Sequence, residues 1–240
     1  MLESGKTEVA KQLSAEQKRE TLYVDLLFFK VDPLFRRLPQ EERSKGVYAF
    51  REVLKNLPAG FKIRSYLTLG FRPDTDFLLW TITQDLEQVQ QFIGRILQTG
   101  FGKYLTLAHS FIAVKQPPIY AATHQQQFEK DEAPRQFLFV YPFVKSREWY
   151  LLPMPRRQEI MNEHIKVARE FPMVRLNTTY SFGLGDQDFV LAFEADEPED
   201  FEKLVQRLRE TESSRFTVRD TPMIVCTTKT VETMIKGLAL

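Results

Sequence analysis

Apolar residues along this chain fall into two kinds of run, and the runs recur in the same order in both halves. Short runs that alternate, or that carry β-branched and aromatic residues, predict strands. These are "TLYVDLLFFKVDP" (21–33, closed by Asp-Pro), "FKIRSYLTLGF" (61–71), "DFLLWTIT" (76–83) and "KYLTLAHSFIAVK" (103–115). Helices are predicted over 33–57, ended by "LPAG", and over 85–100, where an Asp opens and a Gly closes the segment. The second half runs strand 136–145, helix 155–171, strands 173–183 and 188–196, helix 197–210, and an extended stretch 215–229. Acids sit in the first turn of 197–210, where the helix dipole favours them. Residues 1–20 have no periodic run and read as a loosely docked leader. Residues 116–135, polar and with a Pro-Pro pair, read as a linker between the halves.

The recurrence extends to the letters. A shift of 112 residues lays "DTDFLLWTITQDLEQVQQFIGRI" (74–96) on "DQDFVLAFEADEPEDFEKLVQRL" (186–208) without a gap. Asp74, Asp76, Phe77, Leu79, Glu87 and Arg95 meet Asp186, Asp188, Phe189, Leu191, Glu199 and Arg207. Ungapped matching across a strand and a helix points to an internal duplication. Each half, 21–115 and 136–240, then has the order β-α-β-β-α-β. The predicted fold class is α+β, with two tandem ferredoxin-like halves making a dimeric α+β barrel within one chain. Two such sheets packed face to face would enclose an apolar space, a natural cofactor site.

Composition narrows the partners. Lys plus Arg is 33 and Asp plus Glu is 32, which lacks the basic footprint of a nucleic-acid binder. No apolar run is long enough to span a membrane, and the N-terminus has no secretory h-region. One cysteine, Cys226 in "MIVCTT", allows neither an internal disulfide nor a cysteine metal cluster. A cytoplasmic location is the expectation. The chain has no P-loop, no dinucleotide fingerprint and no nucleophile elbow, and "FGLGDQD" (182–188) reads as a hairpin turn.

Three histidines remain as candidates. His164 lies in "EIMNEHIKVAREF" (159–171), three or four residues from Ile160, Met161, Val167 and Ala168 and seven from Phe171, so it shares their apolar face. That placement suits a core histidine with one hydrogen bond, or an axial ligand offering a neutral nitrogen to haem iron. His109 in a strand and His124 in the linker have no recognisable ligand spacing. In "FLFVYPFVKSREWYLLP" (137–153), Phe137, Phe139, Tyr141, Phe143 and Lys145 share one strand face. Tyr141 and Lys145 would stand roughly 13 Å apart, about the width of a porphyrin. A sheet face packed on core, with Lys145 at its exposed end, fits the same pattern. Trp149 and Tyr150 follow as core or interface aromatics.

The combination "YPFVKSREWY…LP…EHIKVAR…TTYSFGLGDQDFVLAFEAD" resembles the chlorite dismutase superfamily, and within it the coproheme decarboxylase branch. The resemblance implies a haem held in the C-terminal half and a homopentamer. It places the proximal haem histidine, and hence the iron ligand, on His164. It places the branch's radical-forming tyrosine on Tyr141, its lysine on Lys145 and its pocket tryptophan on Trp149. Arg215 is either a propionate contact or a surface arginine. Two positions depart from the pattern. Leu176 stands where true chlorite dismutases carry a distal arginine, and Ser213, next to Glu212, stands where they carry the glutamate that orients the proximal histidine. The implied activity is therefore peroxide-dependent decarboxylation of iron coproporphyrin III to haem b, not chlorite dismutation. A non-catalytic haem carrier or sensor, or a haem-free structural oligomer, is the alternative.

Overall fold

In the computed structural model, which describes residues 21–120, 126–130 and 132–240, the N-terminal half builds four antiparallel strands and the C-terminal half four with a short fifth. The predicted leader and His124 lie outside the described residues. The N-terminal half contributes β1 (Tyr23–Val31), β2 (Lys62–Leu67), β3 (Phe77–Thr83) and β4 (Leu105–Val114), side by side in the order β4-β1-β3-β2. The C-terminal half contributes β5 (Phe137–Lys145), β6 (Arg175–Tyr180) and β7 (Phe189–Ala195). After the short β8 (Thr217–Arg219), which pairs with the end of β5, comes β9 (Ile224–Lys229). Their order is β9-β5-β7-β6.

The two sheets meet at their edges, not face to face. Ser65, Tyr66 and Leu67 of β2 pair with Lys229, Thr228 and Thr227 of β9, and Val114 of β4 pairs with Tyr180 of β6. An eight-stranded barrel results, which leaves neither half with an unpaired sheet edge. The space expected to hold a cofactor is instead a side-chain core. Leu26, Phe28, Trp80, Phe111, Leu138, Val140 and Val190 fill it, as a barrel of eight strands allows. Phe128, from the segment between the halves, packs into the same core with its ring 5.6 Å from Trp80.

Side chains alternate across each strand, so the residues between those positions face outward. On the N-terminal half, α1 (Gln40–Lys55) and α2 (Leu86–Leu97) cover them. On the C-terminal half, α4 (Met154–Ala168) and α5 (Pro198–Arg209) do so, with the short α3 (Arg147–Leu151) between β5 and α4. A last helix, α6 (Val231–Gly237), crosses back and adds Met234, Ile235 and Leu238 to the N-terminal half's outer core.

Two predicted elements are divided by proline. Pro39 cannot donate within a helix, so the segment 33–57 splits into a 3-10 turn (Pro33–Arg37) and α1. The extended stretch 215–229 breaks at a cis Thr221–Pro222 bond between β8 and β9. The short α3 and the terminal α6 were not signalled by periodicity, since five and seven residues are too few to show it.

The duplication is visible element by element. A shift of 112 carries β3 onto β7 and α2 onto α5 from end to end. Earlier elements are offset by 114: Pro33–Arg37 falls on Arg147–Leu151, and Pro39, which opens α1, falls on Pro153, which opens α4. The C-terminal half is therefore one residue shorter in each of two connections, either side of β6. Small details repeat as well. Asp76 accepts the backbone N–H of Val31 at 2.8 Å, and Asp188 accepts that of Lys145 at 2.8 Å. Gly70 and Gly183 carry the positive φ of the two hairpin turns, +86° and +72°.

A buried ion pair ties the halves together inside the barrel. Arg64 of β2 reaches Glu194 of β7 at 3.3 Å, and Glu194 also accepts from Asn177 Nδ2 at 3.2 Å and the Arg135 backbone N–H at 3.2 Å. The Glu194 side chain is 2% exposed, so it has no water to fall back on. Glu194→Ala strands the Arg64 guanidinium, and is expected to destabilise the fold by about 3 kcal/mol. Urea denaturation checks this; a cost well under 1 kcal/mol would mean that the lumen stays wet enough to solvate Arg64.

Candidate active site

The candidate residues lie on the outer face of the C-terminal sheet, under α4 and α5. Tyr141 points outward from β5 and is 6% exposed. Its ring stacks on Phe193 of β7 at 5.9 Å, within a cluster that includes Phe139, Phe201 and Leu204. Leu176 of β6, the cross-strand partner of Phe193, packs against the same cluster. Burial raises the Tyr141 pKa well above the ordinary phenol value.

Lys145 ends β5, two pleats on. Its Nζ donates to the Ser213 carbonyl at 2.7 Å and lies over the Trp149 ring at 4.9 Å and the Phe143 ring at 5.3 Å. Burial lowers its pKa from 10.5 to about 8. Its backbone N–H is held by Asp188, which also accepts from the Tyr150 hydroxyl at 2.7 Å. Trp149, on α3, is 2% exposed and packs on Phe216 at 5.4 Å and Tyr120 at 6.0 Å. Tyr120 brings the start of the segment between the halves onto the site, and its carbonyl accepts from Gln158 of α4.

His164 projects from α4, partly buried, with Nδ1 at 3.1 Å from Ser213 Oγ. Burial, and then the charge of Lys145, push its pKa from 6.5 down to about 4, against a smaller upward pull from Glu163. The imidazole is therefore neutral at physiological pH. With Nδ1 engaged, Nε2 is the nitrogen left for a metal. The neighbouring carboxylate does not compete for this histidine. Arg156 grips both Glu212 oxygens, at 2.6 and 2.9 Å, and the Glu212 backbone N–H donates to Glu163.

Lys145 and His164 thus converge on Ser213, Trp149 lies under the Lys145 ammonium, and Phe143 links Lys145 to Tyr141, whose ring is 6.5 Å from it. Arg215 stands apart, exposed in the 3-10 turn Glu212–Phe216. His109 pairs with Asp74 at 2.8 Å on the N-terminal half, and no metal-binding cluster of His, Cys, Asp or Glu occurs among the described residues.

The N-terminal half is an internal control for this site. The offsets above place Lys145 on Val31, Trp149 on Phe35, His164 on Phe50 and Ser213 on Phe101. Those four residues belong to one buried cluster, with Phe50 and Phe101 in edge contact at 5.0 Å and Phe35 and Phe101 at 4.8 Å. The fold therefore closes this space with hydrocarbon when nothing else is asked of it. In the C-terminal half a lysine, a histidine and a serine stand in those places. Asp188 and Tyr150 were missed as supports of Lys145. The repeat held the signal for Asp188, because Asp76 anchors Val31 in the same way.

Comparison with known proteins agrees with the fold. A family model described as chlorite dismutase matches residues 43–229. The coproheme decarboxylase of Mycolicibacterium smegmatis is 36% identical over 174 residues, covering 72% of this chain and 75% of that protein. The chlorite dismutase of Ideonella dechloratans is 24% identical over 231 residues, covering 91% and 80%. Among solved structures, chlorite dismutase from Candidatus Nitrospira defluvii in complex with imidazole superposes with a TM-score of 0.84 at 25% identity, covering 95% of this chain and 100% of that one.

Proposed function

The chain belongs to the chlorite dismutase family, and from that membership we propose that it decarboxylates iron coproporphyrin III to haem b with peroxide as oxidant. It is an enzyme of that family, with relatives named coproheme decarboxylase. The observation that carries the reading is the trio Lys145, His164 and Ser213, set where the other half of the same chain packs Val31, Phe50 and Phe101. A neutral imidazole with a free Nε2, an aromatic wall and a cation at its edge form a donor set that fits an iron porphyrin.

In this reading His164 would ligate the iron, and Trp149 would be an apolar wall. Iron porphyrin supplies one-electron oxidising chemistry when bound. Each turnover converts one propionate, one peroxide and one proton into a vinyl group, carbon dioxide and two waters. Tyr141, after losing an electron and its phenolic proton, takes a hydrogen atom from the propionate and is restored as a phenol. Lys145, with its pKa near 8, holds the carboxylate and supplies or accepts a proton. Leu176 would be an apolar wall with no donor for a chlorite oxyanion.

The test is direct. Purified protein is loaded with iron coproporphyrin III, peroxide is titrated, and the porphyrin mass is followed. Loss of two carboxyl groups supports the enzyme. A Soret band with unchanged mass supports a carrier or sensor, the reading that an apolar Leu176 favours. The absence of any Soret shift would sink both.

Proton competition gives a second check. The folded pKa of His164 is depressed, so the ligating neutral form persists above about 4. Porphyrin ligation is expected to hold from pH 8 down to about 5 and to fall below 4. A Soret titration against pH that turns over near 6.5, the ordinary histidine value, would contradict this.

A further inference from the structure

We propose that Ser213 is a positioning residue that couples carboxylate engagement at Lys145 to the hydrogen bonding of the His164 imidazole. The proposal rests on the reading that His164 ligates iron. Among the described residues, Ser213 is bonded by both: its carbonyl accepts from Lys145 Nζ at 2.7 Å, and its hydroxyl meets His164 Nδ1 at 3.1 Å. An ammonium has three donors, and Ser213 uses one of those on Lys145, leaving two for a ligand carboxylate. A carboxylate held by those two donors pulls on Nζ and lengthens its bond to the Ser213 carbonyl, and the 3-10 turn Glu212–Phe216 shifts the Ser213 hydroxyl relative to the imidazole.

Three observations argue that the chain of contacts is more than packing. The equivalent trio, Val31, Phe50 and Phe101, keeps the same turn and helix in place with no polar atom, so the fold does not need these bonds. Lys145 is fixed at its backbone by Asp188, which leaves its side chain free to change partners without moving β5. Glu212 is fixed by Arg156 and Glu163, so the hydroxyl of Ser213, not a carboxylate, is the group that meets Nδ1. When Nε2 binds iron, Nδ1 carries the proton and donates to Ser213 Oγ. A neutral acceptor can be lost or regained at low cost, whereas a carboxylate would hold the ring firmly. The axial ligand then responds to whether a propionate is still present at Lys145. Substrate has one there, and after decarboxylation the product has a vinyl group.

The test uses ferrous protein loaded with iron coproporphyrin III in the absence of peroxide, read by the iron–histidine stretching band in resonance Raman. Ser213→Ala is expected to shift the band down, and Ser213→Thr to restore it. Lys145→Met is expected to shift the band in the Ser213 protein and to leave it unmoved in the Ser213→Ala background. Additive shifts, or an unmoved band in Lys145→Met alone, overturn the coupling. Lys145→Val, which copies Val31, serves if Lys145→Met folds poorly. The underlying reading fails separately, and visibly, if wild type and His164→Ala give the same spectrum.

Discussion

Tyr141→Phe is expected to bind iron coproporphyrin III as wild type does and to decarboxylate it roughly 10³-fold more slowly. The substitution removes one oxygen and little else. The ring keeps its stack on Phe193 at 5.9 Å and its place in the outer cluster. The ring itself stays buried, so little packing is lost. Stability should change by less than about 1 kcal/mol. In the N-terminal half the matching residue is Leu27, equally buried, so a polar group here is not a requirement of the sheet. Burial that raises the phenol's pKa keeps it protonated at any working pH, so it gives up a proton only together with an electron. That is the behaviour a hydrogen-atom relay requires. Soret titration measures the binding, and the porphyrin mass after peroxide measures the turnover. Unimpaired loss of carboxyl groups in Tyr141→Phe would remove Tyr141 from the chemistry.

The fold was legible because its periodicities are long and doubled. The 112-residue match over 74–96 located β3, α2, β7 and α5, whose bounds coincide under that shift. What pattern missed was offset and closure. Two one-residue differences hide the rest of the repeat from an ungapped comparison, although Leu38-Pro39 and Leu152-Pro153 mark it. That mark pairs Phe50 with His164. Edge pairing was not legible either, since β2–β9 and β4–β6 contacts join residues more than sixty apart and leave no local signature. Hence the apolar space was assigned to the barrel lumen, when the outer face of β5 carries the candidates. Convergence on Ser213 arises from the turn after α5, a segment with no periodicity to read.

His164→Ala is expected to weaken iron-porphyrin binding by more than about 100-fold and to abolish the histidine-ligated Soret band. Burial makes this residue costly to keep and so informative to remove. Holding an imidazole where its pKa falls to about 4 means that the folded chain carries it neutral, beside the cation of Lys145. Phe50 shows what packing alone prefers at this point of the helix. Between pH 6.5 and 4 the unfolded chain binds a proton that the folded chain refuses, so stability from this group is lost as pH falls through that window. His164→Ala removes that pH dependence, and at neutral pH it leaves a cavity in place of a ring. Addition of free imidazole should refill the cavity and restore the Soret band, because the Ser213 hydroxyl remains to orient it. His164→Phe, which copies the other half, should fold at least as stably and yet bind no porphyrin through iron. If either variant keeps the wild-type spectrum, the axial ligand is another residue, and the polar trio around Ser213 needs a different explanation.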